Sequence, residues 1–182
     1  DTGVCKPFAS GSRSDARKLK KAAGVKDSLD EINPLYFKYP MAPDCSLKLE
    51  KRKIDTGRAY QAVKKLLKKH GFVVVEGIGG LMVPFSAGIL LADFIKKTGL
   101  PVLVVSGSSL GTINHTLLTC EALKRRKIRI VGIIMNNYSA NLTAKLSCES
   151  IEENTGLPVL AKVRKNGVLR LRSLKKSFFV KK

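Results

Sequence analysis

Apolar, β-branched stretches alternate with helical patterns along this chain, and the alternation restricts its fold more than any other feature. The apolar stretches have no polar face; they lie at residues 2–8, 72–76, 101–107, 128–136 and 157–163. Helical patterns lie between them, at residues 14–24, 58–71, 88–97, 112–126 and 142–153. Strands that are apolar on both faces and separated by helices form a parallel sheet that helices cover on both sides. We therefore predict an α/β fold with a mostly parallel sheet and helices on both faces.

Two of the helical patterns carry boundary signals. In the first, Ser14 is the predicted N-cap and Gly24 the predicted end. The pattern over 58–71 is closed by Gly71, and its apolar residues recur with the helical period; they are Ala59, Ala62, Val63, Leu66 and Leu67. The sequence therefore predicts a helix there with one apolar face.

The unusual polar residues follow the predicted strands directly. Lys6 follows the first strand, Glu76 the second, Ser106-Gly107 the third and Asn136-Asn137 the fourth. Ligands of parallel sheets bind at the carboxyl ends of the strands. We therefore predict one binding edge in a single domain over residues 1–163.

The balance of charge is strongly basic. The 182 residues include 34 Lys and Arg against 14 Asp and Glu, a formal net charge of +20. Such an excess is compatible with nucleic acid, an anionic membrane or phosphorylated small molecules as partners. The cations lie on predicted helix surfaces without interleaved aromatic residues, which favours a solvated basic surface. The basic segment 164–182 is interpreted as a surface element, with a membrane-surface helix as the alternative.

The four cysteines, at positions 5, 45, 120 and 148, form no CxxC pair, which argues against a zinc site. Isolated cysteines in apolar segments fit a reducing compartment, so we expect a cytoplasmic location. No apolar run approaches the roughly 20 residues that span a bilayer.

The stretch "VVVEGIGGLMVPF", residues 73–85, places a carboxylate and glycines directly after a buried strand. A carboxylate there is costly unless a cation joins it, and glycines allow a ligand to approach the backbone. Mg²⁺ bound to nucleotide phosphates satisfies both features, with Glu76 as a metal-directed acid and Gly77–Gly80 as a phosphate loop. The alternative is structural: Glu76 caps a helix or pairs with a lysine before a plain turn.

Two further stretches carry candidate residues. In "CKPFASGSRSD", residues 5–15, Lys6 precedes a hydroxyl-rich loop, an arrangement that suits an anion whose charge grows during a reaction. Asp15 is a second metal-directed acid or, alternatively, an ordinary acid in the first turn of a helix. In "SGSSLGTINHTLLT", residues 106–119, a glycine and serine loop opens a helix whose free N–H groups can bind an anion. His115 is a candidate base there or, more commonly for a lone histidine, a packing or surface residue.

Together these stretches resemble the dethiobiotin synthetases, ATP-dependent enzymes of biotin synthesis. "KPFASGS" resembles the lysine loop of that family, and "VEGIGGLMVPF" resembles its glutamate-glycine strand end. "LPVLVVSGSSLGTINHTLLT" resembles its third strand and following helix, "GIIMNN" its nucleotide-base strand, and "NTGLPVLAKV" its closing strand. The resemblance covers about residues 3–163 with the motifs in order, and it implies a P-loop NTPase-like fold.

The resemblance also implies a reaction and a set of roles. In that reaction 7,8-diaminononanoate captures CO₂ as a carbamate, ATP phosphorylates the carbamate, and the second amine closes a cyclic urea. Lys6 matches the catalytic lysine and Ser10 a substrate contact, while Asp15 and Glu76 match acids that bind Mg²⁺ and ATP. The remaining implied contacts are Gly77, Ile78 and Gly79 beside the phosphates, Asn136 and Asn137 beside adenine, and Gly111, Thr112, Ile113 and Asn114 at the substrate carboxylate across a homodimer interface.

The sequence departs from the family pattern at its start. The family has a strand, a P-loop GxxxxGK[ST] and a helix there, whereas here "DTGV" is followed by Cys5. Either an internal segment is lost after "DTGV", or "TGVCKPF" is the second strand of a chain cut at its front. Without a P-loop, we expect this chain to bind ATP poorly and to turn over slowly or not at all. The missing strand is central in the family, so we also expect an exposed sheet edge.

Two smaller departures concern binding loops. "PMAPDCS", residues 40–46, matches the substrate-side loop of the family only in part, and "AKVRKNG", residues 161–167, lacks its adenine-side proline. Two alternatives to a synthetase remain open: another P-loop-type amidase or ATPase, and a non-catalytic descendant that binds nucleic acid or an acidic partner. "KPFASGS" argues against the first of these, because such enzymes need no lysine to handle a carbamate.

Overall fold

The structure is a computed structural model that describes residues 1–86 and 88–169. The strands are β1 Gly3–Cys5, β2 Phe8–Ser10, β3 Leu35–Phe37, β4 Val73–Val75, β5 Pro84–Ser86, β6 Ile89–Leu90, β7 Val102–Ser106, β8 Ile130–Asn136 and β9 Val159–Val163. The helices are α1 Ser14–Ala23, α2 Leu29–Ile32, α3 Pro43–Glu50, α4 Thr56–Lys69, α5 Leu91–Thr98, α6 Thr112–Arg125 and α7 Leu142–Thr155. The chain forms two compact units, the first over Asp1–Thr98 and the second beginning at Gly99.

The first unit contains three pairs of strands. β1 and β4 pair in parallel, and so do β2 and β3, whereas β5 and β6 are antiparallel. One part of the core is aromatic: the ring centroid of Phe8 lies 4.1 Å from that of Phe85 and 4.8 Å from that of Phe94. A second part joins Val4, Ala16 and Ile32, and so packs β1 against α1 and α2. This packing fixes the end of β1, which carries Lys6.

The second unit is built on a parallel three-stranded sheet in the order β7-β8-β9. β8 is its most deeply buried strand, with Ile133 and Met135 fully buried. The helices α6 and α7 pack against each other and contribute Leu123 and Ile151 to the interior. A hydrophobic middle strand between two partners is the expected result of a continuous apolar sequence.

The predicted α/β class is confirmed, and each long apolar stretch contains a strand. Gly24 ends α1 in the left-handed conformation, as predicted. Two boundary predictions were wrong: Arg13 rather than Ser14 occupies the N-cap of α1, and α4 ends at Lys69, before Gly71. In the first case Ser12 accepts a hydrogen bond from the Ser14 N–H, which draws Ser14 into the first turn.

Among the described strands, only β8 pairs on both sides. Each of the other strands pairs with a single neighbour, as β4 does with β1 and β7 does with β8. Val105, in the middle of β7, is 61% exposed. Because the outer strands of any open sheet pair on one side only, the expectation that a missing central strand exposes an edge stays a prediction.

No helix in the described ranges is long and apolar enough to cross a membrane. The predicted boundary after residue 163 coincides with the end of β9. Residues 164–169 form neither helix nor strand, and the rest of the predicted basic segment lies outside the described residues. The single domain over 1–163 stays a prediction.

Candidate active site

Lys6 lies at a break between two strands that have different partners. β1 ends at Cys5 and pairs with β4, whereas β2 begins at Phe8 and pairs with β3. Pro7 separates them and has no N–H to donate to either ladder. The Lys6 side chain is 6% exposed, which is unusual for lysine and requires partners for its ammonium group.

The Lys6 ammonium group binds two elements of the first unit. Its Nζ donates to Glu76 Oε1 at 2.8 Å and to the Gly77 carbonyl oxygen at 2.6 Å. It also forms an ion pair with Asp15, with 3.7 Å between Nζ and Oδ2. Glu76 is held in place because its N–H donates to the Cys5 carbonyl, which extends the β1–β4 ladder by one bond. The structure thus brings together Lys6, Asp15 and Glu76, which are up to 70 positions apart in sequence.

A cavity of about 400 Å³ opens beside this cluster. Its polar lining is Lys6, Ser10, Ser12 and Asp15, and its other lining residues are Ala9, Pro40, Met41, Ala42, Pro43, Ile78, Gly79 and Val83. Ser10 Oγ is buried and has no hydrogen-bond partner in the described structure. A buried hydroxyl without a partner is costly in a folded protein unless a ligand or water satisfies it. The cavity therefore joins a polar end with an apolar wall.

The glycine loop after β4 contacts the cluster through its backbone. The Gly77 carbonyl is occupied by Lys6, and Ile78 and Gly79 line the cavity. Gly79 has a φ of 58°, and a Cβ at this position would lie 2.8 Å from Val83 Cγ2. Both observations require glycine at position 79. The packing of the loop on Val83 therefore explains Gly79, and the phosphate contacts of Gly77–Gly80 stay a prediction.

Asp15 and Glu76 are the carboxylates that could hold a metal ion here. Their side chains are 52% and 46% exposed, and each has one oxygen directed at Lys6. No group of three or more His, Cys, Asp or Glu side chains in the described part of the chain could hold a metal by itself. Two carboxylates completed by phosphate oxygens and water form a donor set that Mg²⁺ accepts. The residues therefore fit Mg²⁺ bound together with a phosphorylated ligand.

The residues that the sequence predicts as an anion site lie at the start of α6, in the second unit. Gly111 is the N-cap residue with a φ of 90°, and no side chain caps the helix. Thr112 is buried, and its Oγ1 donates to the Gly107 carbonyl at 2.7 Å. Ser106 and Thr116 share a buried hydrogen bond of 2.7 Å between their hydroxyls. These bonds hold the loop between β7 and α6 in place. The hydroxyl of Thr112 therefore takes part in a structural hydrogen bond.

The remaining candidates of the second unit lie at its surface. Asn114 and His115 are exposed, and Ile113 is half-buried. Asn136 ends β8 and is exposed, as is Asn137, which has a φ of 55°. Ser108 donates to the Asn137 carbonyl at 2.5 Å, so the loops after β7 and β8 meet within this unit.

Thiol chemistry is disfavoured at the site. All four cysteines are free, and three of them are buried. Burial raises the pKa of Cys5, the neighbour of Lys6, to about 12. A thiol with such a pKa is not a nucleophile near neutral pH.

Sequence reasoning missed two residues that hold the Lys6 segment. The side chain of Asn33, which is 2% exposed, donates to the Lys6 carbonyl at 2.7 Å. Arg13 in turn donates to Asn33 Oδ1 at 3.0 Å. The only sequence signal near Asn33 is the proline that follows it, and an asparagine before a proline indicates a turn. It does not indicate a contact with Lys6.

Comparisons with known proteins agree with this architecture. A family model described as an AAA domain matches residues 1–171. The ATP-dependent dethiobiotin synthetase of Endomicrobium trichonymphae is 41% identical over 166 residues, which cover 88% of this chain and 77% of that protein. The enzyme of the same name from Methanocaldococcus jannaschii is 34% identical and is covered to 80%, and that from Anaeromyxobacter dehalogenans (strain 2CP-C) is 45% identical and covered to 56%.

A solved structure supports the fold. The crystal structure of a ParA family ATPase from Chlorobium tepidum TLS aligns with a TM-score of 0.51 and 13% identity. The alignment covers 91% of this chain and 73% of that one. At this identity the likeness supports the P-loop NTPase-like fold and nothing further.

Proposed function

The chain belongs to the ATP-dependent dethiobiotin synthetase family, and we propose that it takes part in the reaction of that family. In this reaction one amine of 7,8-diaminononanoate attacks CO₂ and loses a proton, which gives a carbamate. The γ-phosphoryl group of ATP is transferred to a carbamate oxygen, and ADP leaves. The second amine then attacks the carbonyl carbon and loses a proton, the C–O bond breaks, and phosphate leaves as the cyclic urea closes.

One observation carries the proposal: a buried ammonium group lies between two carboxylates at the polar end of a half-apolar cavity. Lys6 would bind the carbamate oxygens, because an ammonium in a water-poor site stabilises charge that grows on them. The unpaired hydroxyl of Ser10 would contact the substrate. The wall around Met41, Ile78 and Val83 would cover the alkyl chain.

The charges of the cluster support a role for a cation in the proposed reaction. Lys6 supplies one positive charge, and Asp15 and Glu76 supply two negative charges within reach of it. An anionic carbamate or phosphate therefore meets an excess of negative charge unless a cation joins it. Mg²⁺, held by Asp15 and Glu76, would supply this positive charge and bind phosphate oxygens when it is present.

The remaining assignments follow the family pattern. Gly77, Ile78 and Gly79 would flank the nucleotide phosphates, and Asn136 and Asn137 would contact the adenine. Gly111, Thr112, Ile113 and Asn114 would bind the substrate carboxylate across the interface of a homodimer, where free N–H groups at the start of α6 suit an anion. A cytoplasmic location belongs to the same proposal.

Binding of the diamine tests the substrate half of the proposal. Isothermal titration with 7,8-diaminononanoate is expected to show binding that bicarbonate strengthens, and ¹³C-labelled bicarbonate is expected to give a protein-bound carbamate signal. Nonanoate, which has the chain but no amines, is the control and should be insensitive to bicarbonate. A diamine that does not bind, or binds equally with and without bicarbonate, would refute the substrate assignment.

Coupling to ATP tests the reaction itself. ADP release should require both the diamine and bicarbonate, however slow the turnover is. ATP hydrolysis at the same rate without the diamine would indicate a different ATPase.

A further inference from the structure

We propose that Asn33 and Arg13 are positioning residues that hold Lys6 and Asp15 in register with each other. The inference rests on the proposed function for the importance of Lys6 and Asp15. The contacts that support it lie in the first unit and involve neither substrate nor nucleotide.

The backbone of Lys6 is held by residues outside β1 and β2. Because β1 and β2 pair with different strands, the Lys6–Pro7 segment has no ladder partner of its own. The last residue of α2 and the residue that follows it supply bonds there: the Lys6 N–H donates to the Ile32 carbonyl at 2.8 Å, and Asn33 Nδ2 donates to the Lys6 carbonyl at 2.7 Å. The same Nδ2 donates to the Leu35 carbonyl at 3.2 Å. Asn33 therefore ties the strand break to the start of β3.

The start of α1 is held by the side chain of Arg13. Arg13 occupies the N-cap position, two residues before Asp15. Its guanidinium group donates from Nε to Asn33 Oδ1 at 3.0 Å, and from Nη2 to the Leu29 carbonyl at 2.6 Å and the Asn33 carbonyl at 2.8 Å. These bonds tie the N-cap of α1 to the first residue of α2 and to its C-cap residue, and so fix where α1 begins. The start of α1 in turn determines where Asp15 lies.

Asn33 connects the backbone of Lys6 with the start of α1. The single side chain of Asn33 donates to the Lys6 backbone with Nδ2 and accepts from Arg13 with Oδ1, so all its polar atoms are used. It is 2% exposed, so water cannot replace a lost bond. Lys6 Nζ and Asp15 Oδ2 lie 3.7 Å apart at the end of this connection. A shift of either backbone would change that separation.

The substitution Asn33→Asp tests the bond to the Lys6 carbonyl separately from the bond to Arg13. Aspartate keeps an acceptor for Arg13 but presents an oxygen to the Lys6 carbonyl where a donor is needed. Arg13→Lys is the second variant, because it keeps the positive charge and loses the planar fork, and it remains informative if N33D does not fold. The matched control is Asp30→Asn, which removes the ion pair that Arg13 makes with a carboxylate that is 88% exposed.

Acetylation of lysines by acetic anhydride, quantified by mass spectrometry, tests the proposal without substrate. The readout is the labelling rate of Lys6 divided by that of the exposed Lys21 in the same folded chain. N33D and R13K are expected to raise this ratio about tenfold, the factor that corresponds to one lost buried hydrogen bond. D30N and the buried-core variant Val63→Ala, which lowers stability without touching this network, should leave the ratio within about twofold.

An unchanged ratio in both folded variants, or an equal rise in V63A, would overturn the positioning role. In N33D the affinity for the diamine with bicarbonate is also expected to fall about tenfold. If the unaltered chain does not bind the diamine, the proposed function fails, while the labelling ratio still decides the positioning role.

Discussion

Ser10 has a hydroxyl that is buried but has no hydrogen-bond partner, and this combination separates a binding residue from a packing residue. We expect Ser10→Ala to leave the free energy of unfolding unchanged or to raise it by about 1 kcal/mol, because it removes an unsatisfied polar group. The same change should weaken binding of the diamine by about fivefold. Urea unfolding and isothermal titration measure the two effects.

The neighbouring hydroxyl gives the matched control for that prediction. Ser12 Oγ accepts the Ser14 N–H at 2.9 Å at the start of α1. Ser12→Ala should therefore lose about 1 kcal/mol of stability. Weaker stability in S10A with unchanged diamine affinity would show that Ser10 is structural.

Lys6 is the cation shared by Asp15 and Glu76. Lys6→Met should lower the affinity for the diamine with bicarbonate about tenfold or more, because it removes a charged donor from the carbamate. The stability should change by only about 1 kcal/mol, because both carboxylates are about half exposed. Titration of each variant with and without bicarbonate measures this loss.

Lys18→Met is the control for K6M. Lys18 also faces Asp15, at 4.0 Å, but it is 80% exposed. Equal effects of K18M and K6M would mean that general positive charge, and not the buried ammonium, binds the substrate.

At the residue scale, part of the candidate site could be predicted from the sequence. Lys6 and Glu76 could be predicted because each directly follows an apolar strand, and a parallel sheet aligns such ends. Asn33 could not, because its contact with Lys6 spans 27 positions and depends on a strand break that no periodicity records. Roles for Asp15, Glu76 and the residues of the second unit stay predictions.

At the scale of elements, Asp27 connects two helices of the first unit. Its side chain is 1% exposed. The carboxylate accepts a hydrogen bond from Lys69 Nζ at 2.5 Å and lies 2.9 Å from His70 Nε2. The backbone carbonyl of Asp27 accepts from Lys20 Nζ at 2.6 Å. Burial raises the pKa of Asp27, but the bonds to Lys69 and His70 outweigh burial and leave it below its usual value. The carboxylate therefore holds the end of α4 against the segment after α1.

We expect Asp27→Asn to lower the free energy of unfolding at pH 7 by about 2 kcal/mol, because the buried partner of Lys69 and His70 loses its charge. The folded pKa lies below the unfolded value of about 3.9, so the contribution is complete above that value. The stability that the Asp27 carboxylate contributes is lost as the pH falls through the pKa of Asp27 in the folded protein. Urea unfolding of both proteins at pH 7, 5 and 3 should show a difference that shrinks only at the lowest pH.

Asp30→Asn serves as the control, since Asp30 is 88% exposed in its ion pair. It should change stability by less than about 0.5 kcal/mol at every pH. A difference between D27N and the unaltered chain that stays constant down to pH 3 would contradict the role of the charge.

The long elements were predictable and the short ones were not. Stretches such as 128–136 contain enough consecutive apolar residues to indicate a buried strand, which is β8. α2 has four residues and a capping box between Ser28 and Glu31, and β3 has three residues, too few for either period to appear. These short elements nevertheless carry the segment that holds Lys6.

At the scale of the whole molecule, the fold class followed from the alternation of strands and helices, because parallel sheets need helical connections. The division into two compact units after Thr98 did not follow, because no composition change marks that position. The formal charge of +20 is spread over both units and offers no such boundary either. The charge pattern of this chain therefore indicates properties of its surface and does not predict its fold.

Nucleotide binding by residues 1–182 can be predicted from their motifs. The 182 residues contain no GxxxxGK[ST] motif, which in P-loop enzymes supplies the amide cradle and a lysine for the phosphates. We expect Mg²⁺-ATP to bind at least about tenfold more weakly than to the Endomicrobium trichonymphae relative, with slower diamine-dependent ADP release. The control is diamine affinity with bicarbonate, which should match that relative within about threefold because Lys6, Ser10 and the cavity are present. Equal ATP affinity and turnover in the two proteins would show that other residues of this chain hold the phosphates.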